Sequence, residues 1–467
     1  MIDTFAIRCN VLKLAFSGQL SQHEVEDVAI DDLLKRVNPN REIKQSEAGP
    51  YEIPENWAWV KLEDLYEINP KVEAADDTDA AFIPMERISA GFSDSFTFEV
   101  QKWSAASKNH TRFADGDVAF AKISPCFENR KSFIATGLPN GIGGGTTELI
   151  ILRQKEMLPR FTYYVTLDQR FIHEGVASYK GTVGQQRVKS DVIKNYMVAV
   201  PPKEEQQRII EKIESIFSAL DTIDTLQSQY QDNLATLKSK IIDAGIQGKL
   251  TKQLPEDGNA EELYQQIQRE KLALEKAGKI KKSKPLPPIS DEEKPFDIPD
   301  NWKWVRLADV YEINPKVNAD DNINAAFIPM ERISAGFDRS FSYVVQKWSE
   351  ASKNHTRFCD GDVAFAKISP CFENRKSFVV ENLPNSLGGG TTELIILRQK
   401  LIDPLFTYYL ILDERFIRLG LSTYKGTVGQ QRIKNDVMFA YVFPLPPLAK
   451  QKRIVAKLEE LLPLCEG

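Results

Sequence analysis

This chain has little cysteine, little histidine and no long apolar run, and each shortage removes a class of function. Five cysteines in 467 residues, with no Cys-x-x-Cys, do not make a disulfide framework. His110 and His355 sit in Lys-Asn-His-Thr-Arg with no second His or Cys at metal-ligand spacing, so no metal site is expected. The four histidines give no sign of acid–base catalysis. No apolar run reaches the roughly eighteen residues that a membrane span needs. Met1-Ile2-Asp3-Thr4 does not open a secretion signal, so the expected location is cytoplasmic. A basic excess is also missing. The net charge of −6 argues against a protein that coats nucleic acid by bulk charge, while leaving room for local basic surface or a basic partner. What remains is ordinary soluble composition, 42% hydrophobic and 27% charged, long enough for two to four domains.

The most regular stretch is residues 203–245. It follows Pro201-Pro202, which suit the start of a helix but not its interior. Apolar residues then step by four and three through Ile209, Ile213, Ile216, Leu220, Ile223, Tyr230, Leu234, Leu237, Ile241 and Ala244, with Gln227 as the one break. That spacing predicts a coiled-coil seam of about five heptads. At about 1.5 Å per residue the helix spans roughly 64 Å. A core helix of a bundle would rarely keep one seam so long, so a spacer rod is expected. A lone seam also needs a partner helix.

The partner emerges from an internal repeat. At an offset of 245, residues 51–200 align with 296–445 without a gap, and about 104 of the 150 pairs are identical. Segments 82–92 and 115–133 recur unchanged as 327–337 and 360–378, and 180–187 recurs as 425–432. The helix is repeated in pieces. Gln206, Arg208, Ile209 and Ile213 match Gln451, Arg453, Ile454 and Leu458. At an offset of 230, Ile7, Val11, Leu14 and Gly18 match Leu237, Ile241, Ala244 and Gly248. The chain therefore reads as a circularly permuted pair of units, with one rod helix continuous and the other split between the termini. The expected fold class is α+β: two mixed α/β domains in a pseudo-two-fold arrangement, separated by two long antiparallel coiled-coil helices. The expected segments are 1–17 (distal half of the second spacer helix), 18–50 (connector, with a helix near 31–37 ended by Asn38-Pro39), 51–200 (first domain), 201–250 (central spacer helix), 251–295 (linker with a charged helix near 260–276 and a basic, Pro-rich stretch), 296–445 (second domain) and 446–467 (proximal half of the second spacer helix). Within the first domain, 81–85, 118–123 and 149–152 read as strands and 161–167 as helix.

Two motifs invite an enzymatic reading. Ser124-Pro125-Cys126-Phe127 is one residue away from the Asp/Asn/Ser-Pro-Pro-aromatic motif of amino-methyltransferases, and it holds a Pro-Cys. No Gly-rich turn after a first strand accompanies it to hold a methyl donor, and Gly143-Gly144-Gly145-Thr146-Thr147 lacks the Lys of a phosphate loop. Cys126 and Cys371 are better read as small buried residues. Glu128 and Glu148 give no sign of a catalytic pair. The polar loops are more informative. Lys122, Ser124, Asn129, Arg130 and Lys131 form one cluster, and Thr146-Thr147 follows what reads as a flexible Gly turn. Lys180, Thr182, Gln185, Gln186 and Arg187 surround two glycines. The second unit repeats these as Lys367, Ser369, Asn374, Arg375 and Lys376, then Thr391-Thr392, then Lys425, Thr427, Gln430, Gln431 and Arg432. Arg and Lys fit guanine edges, Asn and Gln fit adenine edges, and glycines let backbone N–H groups approach phosphates. An ordinary solvated surface is the plainer reading of any one of these residues.

The junction 200–209, Val-Pro-Pro-Lys-Glu-Glu-Gln-Gln-Arg-Ile, recurs at 445–454 as Leu-Pro-Pro-Leu-Ala-Lys-Gln-Lys-Arg-Ile, with Lys450 where the first copy has Glu205. With the duplicated domains and the circular arrangement, this resembles the specificity subunit of type I restriction–modification enzymes over nearly the whole chain. Residues 121–131 and 143–153 also resemble common versions of its target-recognition domain. The resemblance implies a subunit without catalytic activity of its own that reads a bipartite site in double-stranded DNA, one half per domain. It implies two methylation subunits as partners, which carry the methyl donor S-adenosylmethionine, so no cofactor is expected in this chain. Motor–nuclease subunits are a further partner class in that family. Near-identical domains imply a near-inverted-repeat target with a fixed spacer. A self-contained DNA methyltransferase and a bivalent protein-binding scaffold are the alternatives, the first testable by methyl transfer from the chain alone, the second by binding that ignores DNA sequence.

Overall fold

A computed structural model describes residues 1–21, 29–37, 49–182, 184–280, 286–427 and 429–465. The chain divides into two compact units, Met1–Gln227 and Ser228–Gly467. The expected helix stop at Asn38-Pro39 and part of the Pro-rich stretch, 281–285, lie outside the described residues.

In the first unit, strands Ala58–Lys61 and Met197–Val200 pair antiparallel, so the α/β domain leaves its neighbours through a two-strand stalk. Two four-stranded sheets follow. One has the order Tyr66–Ile68, Leu149–Gln154, Val118–Ala121, Ser132–Ile134, and all its pairs are antiparallel. The other has the order Glu99–Lys102, Asp79–Ile83, Ile142–Gly145, Thr111–Ala114, with its middle pair parallel. Strand alternation explains the continuous apolar runs. Val118, Phe120, Ile150 and Leu152 face helices Pro159–Leu167 and Gln169–Ala177, where Phe161 and Phe171 are buried. Ala119, Leu149 and Ile151 face the other way, onto Phe113, Phe133 and Ile83.

The triple glycine is a strand rather than the expected flexible turn. A Cβ on Gly144 would lie 1.8 Å from the carbonyl oxygen of Ala106, and one on Gly143 would lie 2.4 Å from the Phe113 ring. The glycines let backbone and ring approach the sheet closely. The second unit repeats both sheets in the same order, with stalk strands Lys303–Arg306 and Val442–Leu445.

The central helix runs Lys203–Ile246. In the first unit, helix Thr4–Phe16 lies along it and runs antiparallel. The backbone N–H of Ile2 donates to Gln227 Oε1 at 2.5 Å, Thr4 Oγ1 to Asp224 at 2.5 Å and Arg8 Nη2 to Asp221 at 2.6 Å. Ser21 Oγ donates to Glu205 at 2.9 Å. Numbers rise on one side as they fall on the other. Val11, Leu12, Ala15 and Phe16 join Ile209, Ile213, Phe217 and Leu220 in one core. Gln227, which breaks the apolar stripe, caps this contact, since its Nε2 also donates to the Ile2 carbonyl at 3.2 Å. In the second unit, helix Leu448–Leu461 brings Ile454 and Leu458 onto Ile242 and Ile246.

The expected seam is therefore not uniform. Ile209, Ile213 and Leu220 are buried, and Ile216, Ile223, Leu234 and Ile241 are half-buried. Tyr230 and Leu237 are 52% and 46% exposed. Within the first unit the partner helix begins at Thr4, opposite Asp224. In the second unit the buried stripe is Ile242, Gly245 and Ile246, one position off the predicted line at Ile241. The linker helix is Ala260–Lys276, with the Asn259 side chain accepting from the Glu261 N–H.

Candidate nucleic-acid interface

Strand Val118–Ala121 ends at Lys122, and three segments distant in sequence meet there. The Lys122 N–H donates to the Glu148 carbonyl at 2.8 Å, the Val188 N–H to the Lys122 carbonyl at 2.9 Å, and the Ser124 N–H to the Gln186 carbonyl at 2.8 Å. Lys180 and Arg187 exchange both backbone hydrogen bonds, closing a tight hairpin. Gly181 and Gly184 sit in it at φ +119° and +84°, a backbone that L side chains rarely adopt. The loops 122–131 and 146–148 and residues 180–182 and 184–187 thus form one surface. The second unit builds the same surface, with Lys367 bonded to Glu393 and Ser369 to Gln431 at 2.8 Å each.

Most of the sequence-predicted residues gather here. Asn129, Thr147, Lys180, Thr182, Gln185 and Arg187 are exposed, and Lys122, Ser124, Thr146 and Gln186 are half-buried. Their counterparts Asn374, Thr392, Lys425, Thr427, Gln430 and Arg432 are exposed, and Lys367, Ser369, Thr391 and Gln431 half-buried.

Arg130 does not belong to this surface. It is 4% exposed, its Nε donates to the Leu167 carbonyl at 3.0 Å, its Nη2 donates to Gln169, and its guanidinium lies over the rings of Phe5 and Phe92 at 4.9 and 5.3 Å. Arg375 likewise turns inward, with Nη2 2.5 Å from Glu414 and the guanidinium 5.3 Å from the Phe337 ring. Both residues have left-handed backbone, φ +55° and +53°, which turns them away from their neighbours. Lys131 and Lys376 are half-buried ties, donating to the Met85 and Met330 carbonyls at 2.8 and 2.9 Å. They hold the unchanged segments 82–92 and 327–337 against the loops.

Sequence reasoning weighed Glu128 and Glu148 only as a catalytic pair and left them out of the loop clusters. Glu148 receives Arg187 side-on, Nη2 to Oε1 at 2.7 Å and Nε to Oε2 at 2.9 Å. Hydrogen bonding to Arg187 holds its carboxyl below the usual range. Ser124 Oγ donates to Glu128 at 2.9 Å, and burial with the nearby Glu128 charge pushes the Tyr179 phenol up. An acidic residue repeated beside each basic loop was the available signal. Cys126 and Cys371 are half-buried rather than buried, and desolvation raises both thiols, which disfavours the thiolate a nucleophile needs. The Nδ1 atoms of His110 and His355 lie 3.1 Å from the Ala106 and Ala351 carbonyls. Among the described residues no group of three or more His, Cys, Asp or Glu could hold a metal, and no helix is long and apolar enough to cross a membrane.

The repeated junction has a structural role. Gln206 accepts from the Leu158 N–H at 3.1 Å and donates to the Pro201 carbonyl at 3.1 Å. Gln451 does the same with Asp403 at 2.9 Å and Pro446 at 2.8 Å. The glutamine thus locks the helix start to the domain.

The chain matches the type I restriction modification DNA specificity domain twice, over residues 54–230 and 299–465. It is 30% identical over 545 residues to the type I restriction enzyme EcoAI specificity subunit of Escherichia coli, covering 99% of this chain and 90% of that protein. Against the EcoEI specificity subunit of the same species the identity is 29%, covering 100% and 90%. A solved chain described under "Structural basis underlying complex assembly and conformational transition of the type I R-M system" shares the fold, with a TM-score of 0.60 at 18% identity, covering 89% of this chain and 92% of that one. With the family domain matched twice across most of its length, the chain belongs to the type I restriction–modification DNA specificity family.

Proposed function

We propose that this chain is the sequence-specific DNA-recognition subunit of a type I restriction–modification enzyme and is itself non-catalytic. The carrying observation is that each unit builds the same polar surface from three separated loops, in a chain of that family. Each domain reads one half of a bipartite target. Because the loops 122–131 and 180–187 recur unchanged, the halves are near-identical and the target approaches an inverted repeat. Helix Lys203–Ile246 acts as the continuous strand of an antiparallel coiled-coil spacer, with Thr4–Phe16 and Leu448–Leu461 as the pieces of its split partner, and the segments follow the permuted order 1–17 through 446–467. The two units would be related by a pseudo-two-fold axis. Two methylation subunits carrying S-adenosylmethionine, and motor–nuclease subunits, are the partners this reading implies. In this picture Lys122, Ser124, Asn129, Thr146, Thr147, Lys180, Thr182, Gln185, Gln186 and Arg187 face the DNA, with their second-unit counterparts.

Mapping methylated adenines in cells carrying the complete system tests this. The expected result is one motif with two closely related half-sites at fixed spacing; two clearly unrelated halves would sink the near-identity argument.

A further inference from the structure

One side chain on the surface has three of its five donors allocated. A guanidinium carries five N–H bonds. On Arg187, Nε and one hydrogen of Nη2 go to Glu148, and Nη1 gives one hydrogen to the Gln185 carbonyl at 3.1 Å. One hydrogen on Nη1 and one on Nη2 remain. The side chain is 47% exposed, whereas its glutamate is 20% exposed, so the unused end faces solvent and the engaged edge faces protein. The second unit repeats the allocation. Arg432 Nε and Nη2 reach Glu393 at 2.9 and 2.7 Å, Nη1 reaches the Gln430 carbonyl at 3.4 Å, and the side chain is 49% exposed.

We propose that Arg187 and Arg432 are specificity-determining residues that each present an end-on, two-donor fork to one guanine of a half-site, with Glu148 and Glu393 as positioning residues. The proposal rests on the DNA-recognition reading above. In it, the Gln185 carbonyl occupies the stem-side hydrogen of Nη1, and the two free hydrogens project in parallel. Guanine offers O6 and N7, two adjacent acceptors, to such a fork. Adenine offers one acceptor and one donor at that edge and would leave a donor opposed to a donor. A phosphate also accepts two hydrogens, but it carries charge. The glutamate neutralises the guanidinium and repels an anion approaching the same group, while a base edge bears no net charge. The pair therefore favours a base over the backbone. The ion pair also fixes a long, flexible side chain before binding, which reduces the ordering cost on contact.

The test uses the whole chain assembled with its methylation subunits, methyl donor and a library of DNA duplexes at one fixed salt concentration. The wild-type motif should contain a G·C pair at the same place in both halves. Arg187→Lys should lose about 5- to 150-fold discrimination at that pair in one half only. The untouched other half reports that the variant is folded. Arg432→Lys should do the same in the other half. Glu148→Gln keeps the arginine but frees it. It should lower discrimination at the same pair while raising affinity for unrelated DNA, an effect that a merely structural glutamate would not produce.

A uniform loss across all sequences for Arg187→Lys, with the salt slope changed by about one, would mark a phosphate contact and overturn the proposal. So would a wild-type motif lacking the shared G·C pair. Methylation by the wild-type complex without sequence preference would instead overturn the recognition reading itself.

Discussion

The carboxylate of Glu205 accepts the indole hydrogen of Trp57 at 3.0 Å, buried at the start of the central helix. Asn56 and Ser21 donate to it as well, at 3.3 and 2.9 Å. The equivalent residue in the second unit is Lys450, and its surroundings are inverted. Its ammonium donates to the Thr251 and Lys252 carbonyls at 2.7 and 2.8 Å, while the Trp302 indole donates to Gln253 at 3.2 Å. Each site is built for one sign of charge. Glu205→Lys and Lys450→Glu should each destabilise their own unit by roughly 3–5 kcal/mol, the usual cost of an uncompensated buried charge. Urea unfolding checks this, and a change under about 0.5 kcal/mol for either would remove the argument.

Lys450 carries a pH signature. Burial and the neighbouring Arg453 pull its ammonium down to about 8. The unfolded chain then binds more protons than the folded one between about pH 8 and the ordinary lysine value near 10.4. Stability of the second unit should rise with pH over roughly 8–10 and stay flat from this group below 8. Lys450→Met should abolish the slope in thermal unfolding across that range. A slope of the opposite sign in the unaltered chain would contradict the assignment.

Gly144→Ala places a methyl group 1.8 Å from the Ala106 carbonyl oxygen, where neither backbone can yield. The first α/β domain should lose at least about 3 kcal/mol, at the upper end of overpacking costs. Gly389→Ala, with its Cβ 1.8 Å from the Ala351 oxygen, should do the same in the second domain. Soluble expression and near-ultraviolet circular dichroism report the outcome, and near-native melting would show the strand to be more open than described.

Arg8 ties the N-terminal helix to the central one through Asp221 and Asp224 and lies 5.7 Å from the centre of the Phe217 ring. Asp221 is largely solvent-facing and Asp224 half-buried, so the ion pairs are partly screened. Arg8→Ala should cost about 1 kcal/mol and speed amide exchange in Thr4–Phe16, with the cost shrinking in high salt. An effect independent of salt would assign the contribution to ring packing alone.

If the helix pair is the ruler between the half-sites, seven residues added to each helix lengthen it by two turns, about 10.5 Å. The methylated motif should then gain close to three unread base pairs at about 3.4 Å each. An unchanged motif would locate the ruler elsewhere.

How much of this was legible beforehand depends on the kind of information. The ungapped repeat and the step of Ile209, Ile213 and Leu220 are one-dimensional signals, and they pointed to the duplicated domains and the long helix. Arg130 was misplaced because a polar residue in a polar run carries no mark of its direction; its positive φ and the rings of Phe5 and Phe92 come from the folded chain. The Gly143–Gly145 strand misled for a related reason. Glycine suits both a loose turn and the tightest packing, and only Ala106 and Phe113 decide between them. Glu148 was weighed only as half of a catalytic pair, because its partner Arg187 lies 39 residues away.

The stalk has a consequence for inheritance. Ala58–Lys61 and Met197–Val200 lie side by side, so everything between them departs from and returns to nearly one point. Such a segment can be exchanged as a cassette. A different insert needs the same paired ends and a backbone N–H for Gln206, supplied here by Leu158, to sit on the same helix, whatever its internal length. Recombination at those ends would replace one α/β domain and leave the helices unchanged.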